Sequence, residues 1–287
     1  MWPQTRKYKE NTSMISKLIT KGTILGLGLL LASTLASQTS FAQTGETSET
    51  AVKNIVLVHG AWADGSSWSK IIPLLVERGF NVVAVQNPLT SLQDDVTATQ
   101  QALARVQASN PGPVLLVAHS YGGVVITQAG VDPNVVGLVY VSAFAPAENE
   151  SALGLAGNYP TSPAIGQLIE DNYGFVVFDH QGVFEDFAQD VSPQEKEVIF
   201  AVQGPTALYA ALGATVSSAA WRVKPCWFVV AANDRAISPD LERFEAKRMN
   251  AITIELPTSH VPMISEPHIV AEFIARAARE AGRKSGK

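Results

Sequence analysis

The 287-residue chain predicts an α/β protein with a mostly parallel sheet flanked by helices. Three observations carry that expectation. First, short and wholly apolar runs recur: Ile55-Val56-Leu57-Val58, Val114-Leu115-Leu116-Val117 and Cys226-Trp227-Phe228-Val229-Val230. Strands covered on both faces read this way, because no side of them meets water. Second, segments with helical apolar spacing separate the runs, and strand–helix alternation implies right-handed crossovers and parallel pairing. Third, each run stops at a turn that carries a histidine, a serine or an aspartate. The carboxyl ends of parallel strands are where such sheets gather functional groups.

The first run ends in His59-Gly60-Ala61-Trp62. Gly60 lets the chain approach closely, so the Ala61 N–H is a candidate donor to a developing oxyanion. His59 is read as a residue that bonds and shapes this turn, not as a base. Residues 66–77 have helical spacing at Trp68, Ile71, Leu75 and Val76, and 82–85 form a short strand. Ser91-Leu92-Gln93-Asp94 resembles a capping box, with Asp94 expected to bond free amides of the helix it opens.

The strand over 114–118 runs into Ala118-His119-Ser120-Tyr121-Gly122-Gly123. A strand that turns at once into a helix is sharply bent, so the residues two before and two after the apex must be small. Ala118, where glycine is usual, and Gly122 satisfy this. Such a nucleophile elbow lifts one side chain into reach of a substrate. Ser120 is the candidate nucleophile and the Tyr121 N–H the second candidate oxyanion donor.

A strand over 135–141 follows. Residues 146–218 then lose the alternation and are rich in aromatic residues, with ten carboxylates against the single cation Lys196. They are expected to form a largely helical cap inserted in the core, with a few of the aromatics lining a pocket beneath it. Asp234 lies just past the strand that starts at Cys226. His260 lies on a loop between a strand over 252–256 and a last helix over 267–278, whose buried face is expected to include Ile269, Phe273, Ile274 and Ala277. The order Ser120, Asp234, His260, each after its own strand, is the order of one Ser–acid–His architecture. Glu148, after the strand that follows the elbow helix, is the rival acid.

These segments, with Trp68, Pro73-Leu74-Leu75, Gly79-Phe80 and Ser259-His260, make the chain resemble α/β-hydrolase-fold proteins over about residues 53 to 280. Within them it is similar to the compact esterases related to plant methyl esterases and hydroxynitrile lyases. The resemblance implies an α/β-hydrolase fold, a Ser120–His260–Asp234 triad, oxyanion donors at Ala61 and Tyr121, no cofactor, and a small-molecule ester as substrate. Hydroxynitrile lyases of this group carry threonine after the first-turn histidine and lysine after the catalytic one. Gly60 and Val261 stand there instead, which disfavours a C–C lyase. Some relatives keep a triad yet serve as hormone sensors, so a non-catalytic ligand-binding homologue is the alternative of a different class. Serine at the elbow argues against the dehalogenases and epoxide hydrolases that attack with a carboxylate.

Length allows one large domain. The lone cysteine, Cys226, cannot form a disulfide within the chain, and no histidine or cysteine pair has metal-ligand spacing. Lys17 and Lys21 precede an apolar stretch over 24–35, followed by Ser40-Phe41-Ala42. This pattern predicts a secretory signal peptide over 1–42, with Met14 an alternative start. It is too short for a comfortable span of about 20 residues. The expected organisation is signal peptide 1–42, flexible leader 43–52, hydrolase core 53–145 and 219–287, and cap 146–218. The mature protein is expected in the periplasm or outside the cell, with no stable membrane insertion. Loss of 1–42 leaves 16 basic against 25 acidic residues, a net charge of −9, whereas the whole chain carries −5. Such a protein has no electrostatic reason to bind nucleic acid or anionic lipid. The cap alone carries −9, so neutral apolar esters are the expected substrates. Oligomeric state is not specified by the sequence.

Overall fold

The computed structural model describes residues 52–285. The expected signal peptide, and all of the leader except Val52, lie outside the described residues. Nine strands are described: β1 (Asn54–Val58), β2 (Asn81–Ala84), β3 (Val114–Ser120), β4 (Val135–Ala143), β5 (Leu168–Glu170), β6 (Phe175–Phe178), β7 (Thr206–Ala207), β8 (Cys226–Ala231) and β9 (Ile252–Leu256). The helices are α1 (Ile71–Val76), α2 (Leu92–Ser109), α3 (Gly122–Ala129), α4 (Ala152–Ala156), α5 (Pro193–Ala201), α6 (Pro239–Arg248), α7 (Pro262–Ser265) and α8 (Pro267–Ser285).

The main sheet has the order β2-β1-β3-β4-β8-β9, and every neighbouring pair is parallel. The burial of the strands follows their place in it. β1, β3 and β8 are buried throughout. The edge strands β2 and β9 are only partly buried, as expected where helices cover an edge less completely. After β1 the chain steps to β2 on one side, then crosses to β3 on the other. The carboxyl ends of β1 and β3 therefore flank the topological switch point, where the crevice of such a sheet lies. Trp68, Tyr140, Trp227 and Phe228 fill the core. Cys226 is buried there too, and burial pushes its thiol up to about 12.

Three expectations need correction. Asp94 bonds no free amide: its Oδ2 accepts from the hydroxyls of Ser91 and Thr90 at 2.7 and 2.8 Å, while Ser91 Oγ caps the Asp94 N–H. Aspartate is one methylene short of the return reach. Glu195 makes that return bond in the capping box of α5, accepting from the Ser192 N–H at 3.1 Å. The last helix runs on to Ser285, and Ile269 is 46% exposed rather than part of the buried face, which Val270, Phe273, Ile274 and Ala277 form. The cap, finally, is not helical alone. Beside α4, α5 and two π-helical turns (Gly182–Phe187 and Leu208–Leu212) it holds an antiparallel sheet, β5-β6-β7. Its strands have two to four residues, too short to show a period. The β5–β6 turn is closed by Asp171, whose Oδ1 accepts from the Tyr173 and Phe175 N–H groups, and by Gly174 at φ +81°.

Candidate active site

Ser120 ends β3 with φ at +55°. A non-glycine residue is strained there, and the strain is that of a strand bent abruptly into a helix. The two glycines that follow are required by contact. A Cβ on Gly122 would lie 2.6 Å from the His59 carbonyl oxygen, and one on Gly123 2.1 Å from that of Phe144. α3 is thus pressed against the first turn and against the end of β4.

Tyr121 is the N-cap of α3, so its N–H belongs to the open amide end of that helix. Its hydroxyl donates to Asp95 Oδ2 at 2.7 Å, and Asp95 Oδ1 accepts from the Leu89 N–H at 2.8 Å. Asp95 is fully buried. Loss of hydration raises its carboxyl from 3.8 to about 6, against the opposing effect of these hydrogen bonds.

In the first turn, His59 Nδ1–H donates to the Gly60 carbonyl at 2.8 Å, and Nε2 accepts from the Asn87 N–H at 2.9 Å. Both ring nitrogens are engaged and burial lowers its pKa. His59 shapes the turn, as expected. A Cβ on Gly60 would lie 2.7 Å from Ser120 Cβ, so the Ala61 turn sits directly against the elbow. The next residue reaches into the cap. The Trp62 N–H donates to Thr206 Oγ1 at 3.1 Å, its indole N–H donates to the Val176 carbonyl at 2.9 Å, and its ring packs 4.3 Å from that of Phe178.

Asp234 and His260 meet at the far side of the elbow. Asp234 Oδ2 accepts from His260 Nδ1–H at 2.5 Å, and Oδ1 accepts from the Ala236 and Ile237 N–H groups at 2.7 and 2.8 Å. Both side chains are wholly buried. The bond to Asp234 sets the tautomer and leaves a lone pair on Nε2, a buried atom without a hydrogen-bond partner. The Ser120–His260 bond is therefore not made in this structure; such bonds often tighten only with substrate present. The rival acid lies elsewhere. Glu148 is exposed and ion-paired to Arg222 at 2.8 Å, and a backbone hydrogen bond, followed by that guanidinium, lowers its pKa.

Sequence reasoning assigned no role to His119. Its Nε2–H donates to the His260 carbonyl at 2.7 Å, and the two rings lie 4.6 Å apart. Burial holds its pKa well below 6.5, so it stays neutral and ties the elbow to the histidine loop. The cap contributes partners that no local pattern announces. Asp190 Oδ2 accepts from the Ser259 N–H at 2.7 Å, Gln189 donates to the Asn233 carbonyl at 2.7 Å, and Asp186 pairs with Arg235 at 2.9 Å. Phe187 packs edge-on against the His260 ring at 4.9 Å.

A cavity of about 260 Å³ opens beside these groups. Trp62, His119 and Val261, each next to a candidate site residue, form its inner wall, and Phe187, Val198 and Ile199 its cap wall. Phe187 is the one member of the cap's aromatic set that reaches it; Tyr173 and Tyr209 face solvent. Lys70 and Glu195 form an ion pair across its rim. Among the described residues no cluster of histidine, cysteine and carboxylate side chains is arranged to hold a metal, and no helix is long and apolar enough to cross a membrane.

The chain is similar to known proteins in sequence and in fold. Methylesterase 2 of Arabidopsis thaliana is 27% identical over 253 residues, spanning 79% of this chain and 96% of its own length. The alpha/beta hydrolase nvfD of Aspergillus novofumigatus (strain IBT 16806) is 24% identical over 246 residues, with 79% and 97% covered. The solved structure of a pyrethroid hydrolase from Sphingobium faniae JZ-2 has the same fold, with a TM-score of 0.65 at 23% identity over 79% of this chain and 97% of that one. The profile of the alpha/beta hydrolase family matches residues 55–273, from β1 through the cap into α8, and the chain belongs to that family.

Proposed function

We propose that the protein is an exported serine hydrolase that cleaves carboxylic esters of small, largely neutral and apolar substrates through an acyl-enzyme. One observation carries the reading: a buried Asp234–His260 pair, with Nε2 of the histidine unengaged, beside a serine at a strained elbow. Names of relatives add support, since a methylesterase and a pyrethroid hydrolase are among them. Export rests on the pattern of residues 1–42.

In this reading Ser120 Oγ attacks the ester carbonyl carbon while its proton passes to His260 Nε2. Asp234 stabilises the imidazolium that forms and keeps the ring oriented. The Ala61 and Tyr121 N–H groups hold the oxyanion, a role in which one donor is worth about 10²–10³ in kcat. Collapse expels the alcohol, which takes the proton from Nε2. Water then attacks the acyl-enzyme by the same route and restores Ser120. The cavity beside the elbow, walled by Val198, Ile199 and Phe187, suits an apolar acyl or alcohol group.

The test is a screen of short-chain neutral, cationic and anionic aryl esters with the wild type and Ser120→Ala. The variant should fold normally and lose nearly all turnover, since loss of the nucleophile costs on the order of 10⁶ in kcat in serine hydrolases. A fluorophosphonate should add its phosphonyl group to the Ser120 peptide. Retention of more than about a tenth of the activity, or a label elsewhere, would overturn the reading.

A further inference from the structure

Behind Asp234 lies a second carboxyl that the acyl-transfer steps do not use. Glu242, on the first turn of α6, is fully buried. Its Oε2 accepts from the Ala231 N–H at 3.0 Å. Its Oε1 is buried and, as a bare carboxylate oxygen, finds no donor. Asp234 is anchored at the same residue, its N–H donating to the Ala231 carbonyl at 3.2 Å, so the two carboxyls stand together at the end of β8. The other groups facing it are the β8 backbone and Glu245, one turn further along α6. Arg248 is engaged with Glu245 and Glu150, and among the described residues no cation stands within ion-pair distance of Glu242.

Two neighbouring carboxyls, both out of water, disfavour being ionised together. One of them holds a proton, and the partners decide which. Asp234 receives three donors, the Ala236 and Ile237 N–H groups and His260 Nδ1–H. Glu242 receives one. The charge belongs on Asp234, and a proton on Glu242 Oε1 would satisfy the orphaned atom and give Asp234 a fourth donor. We propose that Glu242 is a positioning residue, a neutral carboxylic acid whose hydrogen bond to Asp234 holds that carboxylate aimed at His260 and disperses part of its charge. Burial and the charge of Asp234 both push the Glu242 carboxyl well above its ordinary value, in the same direction. A carboxylic acid kept neutral by an apolar site so that it can donate is a known device of catalytic centres.

The inference rests on the reading of Asp234 as the acid of the triad, and the experiment separates the two. Glu242→Gln retains an acceptor for the Ala231 N–H and an N–H donor for Asp234. Glu242→Leu retains neither. In steady-state ester hydrolysis Leu should lower kcat by about tenfold or more, with KM little changed. Its acidic limb of kcat/KM should lie at higher pH, because an undispersed Asp234 charge stabilises the imidazolium. Gln should rescue both the rate and the position of that limb. Infrared difference spectra of the wild type at neutral pH should show the carbonyl band of a buried protonated carboxylic acid, absent in Glu242→Gln. That readout stands even if Glu242→Leu fails to fold. Equal damage in both variants without a shifted pH limb, or absence of the band, overturns the inference. Asp234→Asn with full activity would instead overturn the triad reading.

Discussion

The core and the cap share one buried apolar cluster but differ in the regularity of their elements, and the candidate site lies where they meet. In the core, strands buried on both faces pair in one parallel ladder. Burial at about 25 cal/mol per Å² of apolar surface dominates such a body. In the cap, β7 has two residues, and no α5 side chain is fully buried although Ile199 and Phe200 pack against the core. Phe178, Val183, Phe187 and Val216 of the cap join the buried apolar cluster, and polar contacts add to that seat. Core cations Lys70, Arg222, Arg235 and Arg248 each meet a carboxylate of 146–218, namely Glu195, Glu148, Asp186 and Glu150. Trp62, Asn233 and Ser259 are each hydrogen-bonded to cap residues. The segment's net charge of −9 is therefore not simply a field over the entrance, because several of its carboxylates are docking groups. The contrast teaches a division of labour. The core sets Ser120 by backbone strain, whereas the cap steadies the loops of Asp234 and His260 from outside.

The sharpest way to break the core side is Gly123→Ala. Its Cβ would lie 2.1 Å from the Phe144 carbonyl oxygen. A backbone atom cannot step aside as a flexible side chain would, so α3 must separate from β4. We expect loss of soluble folded protein or a fall in stability above about 4 kcal/mol, the exceptional class of single substitutions, read by urea denaturation. A variant as stable as the wild type would show that the elbow tolerates slack.

The cap side should give a smaller and different result. Asp190→Ala leaves the buried Ser259 N–H without its partner, a loss of about 1–3 kcal/mol. If the cap steadies the histidine loop, kcat should fall severalfold while KM changes little, and Asp190→Asn should recover much of it. An unchanged kcat with a raised KM would make the cap a substrate wall only.

A pH-dependent effect concerns Asp95, which ties Tyr121 to α2. Its carboxyl holds its proton up to about 6 in the folded protein and to the ordinary 3.8 when unfolded. Between those values the folded state binds more protons, so this group's contribution to stability falls as pH rises through the window and is level above it. Asp95→Asn removes the titration. The difference between its urea midpoint and that of the wild type should therefore change between pH 3.8 and 6 in the variant's favour. A difference independent of pH would show that Asp95 does not titrate in this window.

The sequence by itself determined the ladder and the three turns. A run such as Val114 to Val117 states its own burial, and Ser120 between small residues states its own bend, because both depend on atoms a few residues away. Asp234 and His260 were legible for the same reason, each on a turn after a strand. Only the tertiary structure decided what surrounds them. Asp95 and Tyr121 are 26 residues apart, Asp190 and Ser259 are 69 apart, and Trp62 and Thr206 are 144 apart. None of these partners has a local signature, because a carboxylate in a polar segment looks the same whether it faces solvent or a buried amide. The cap sheet was hidden by the shortness of its strands, and Glu242 by its helix, where an acid near the N-terminus is ordinary. Which of these acids lies in water, and which lies dry beside another carboxyl, depends on how α6 packs against β8. That is a property of the folded layers and not of any stretch of chain.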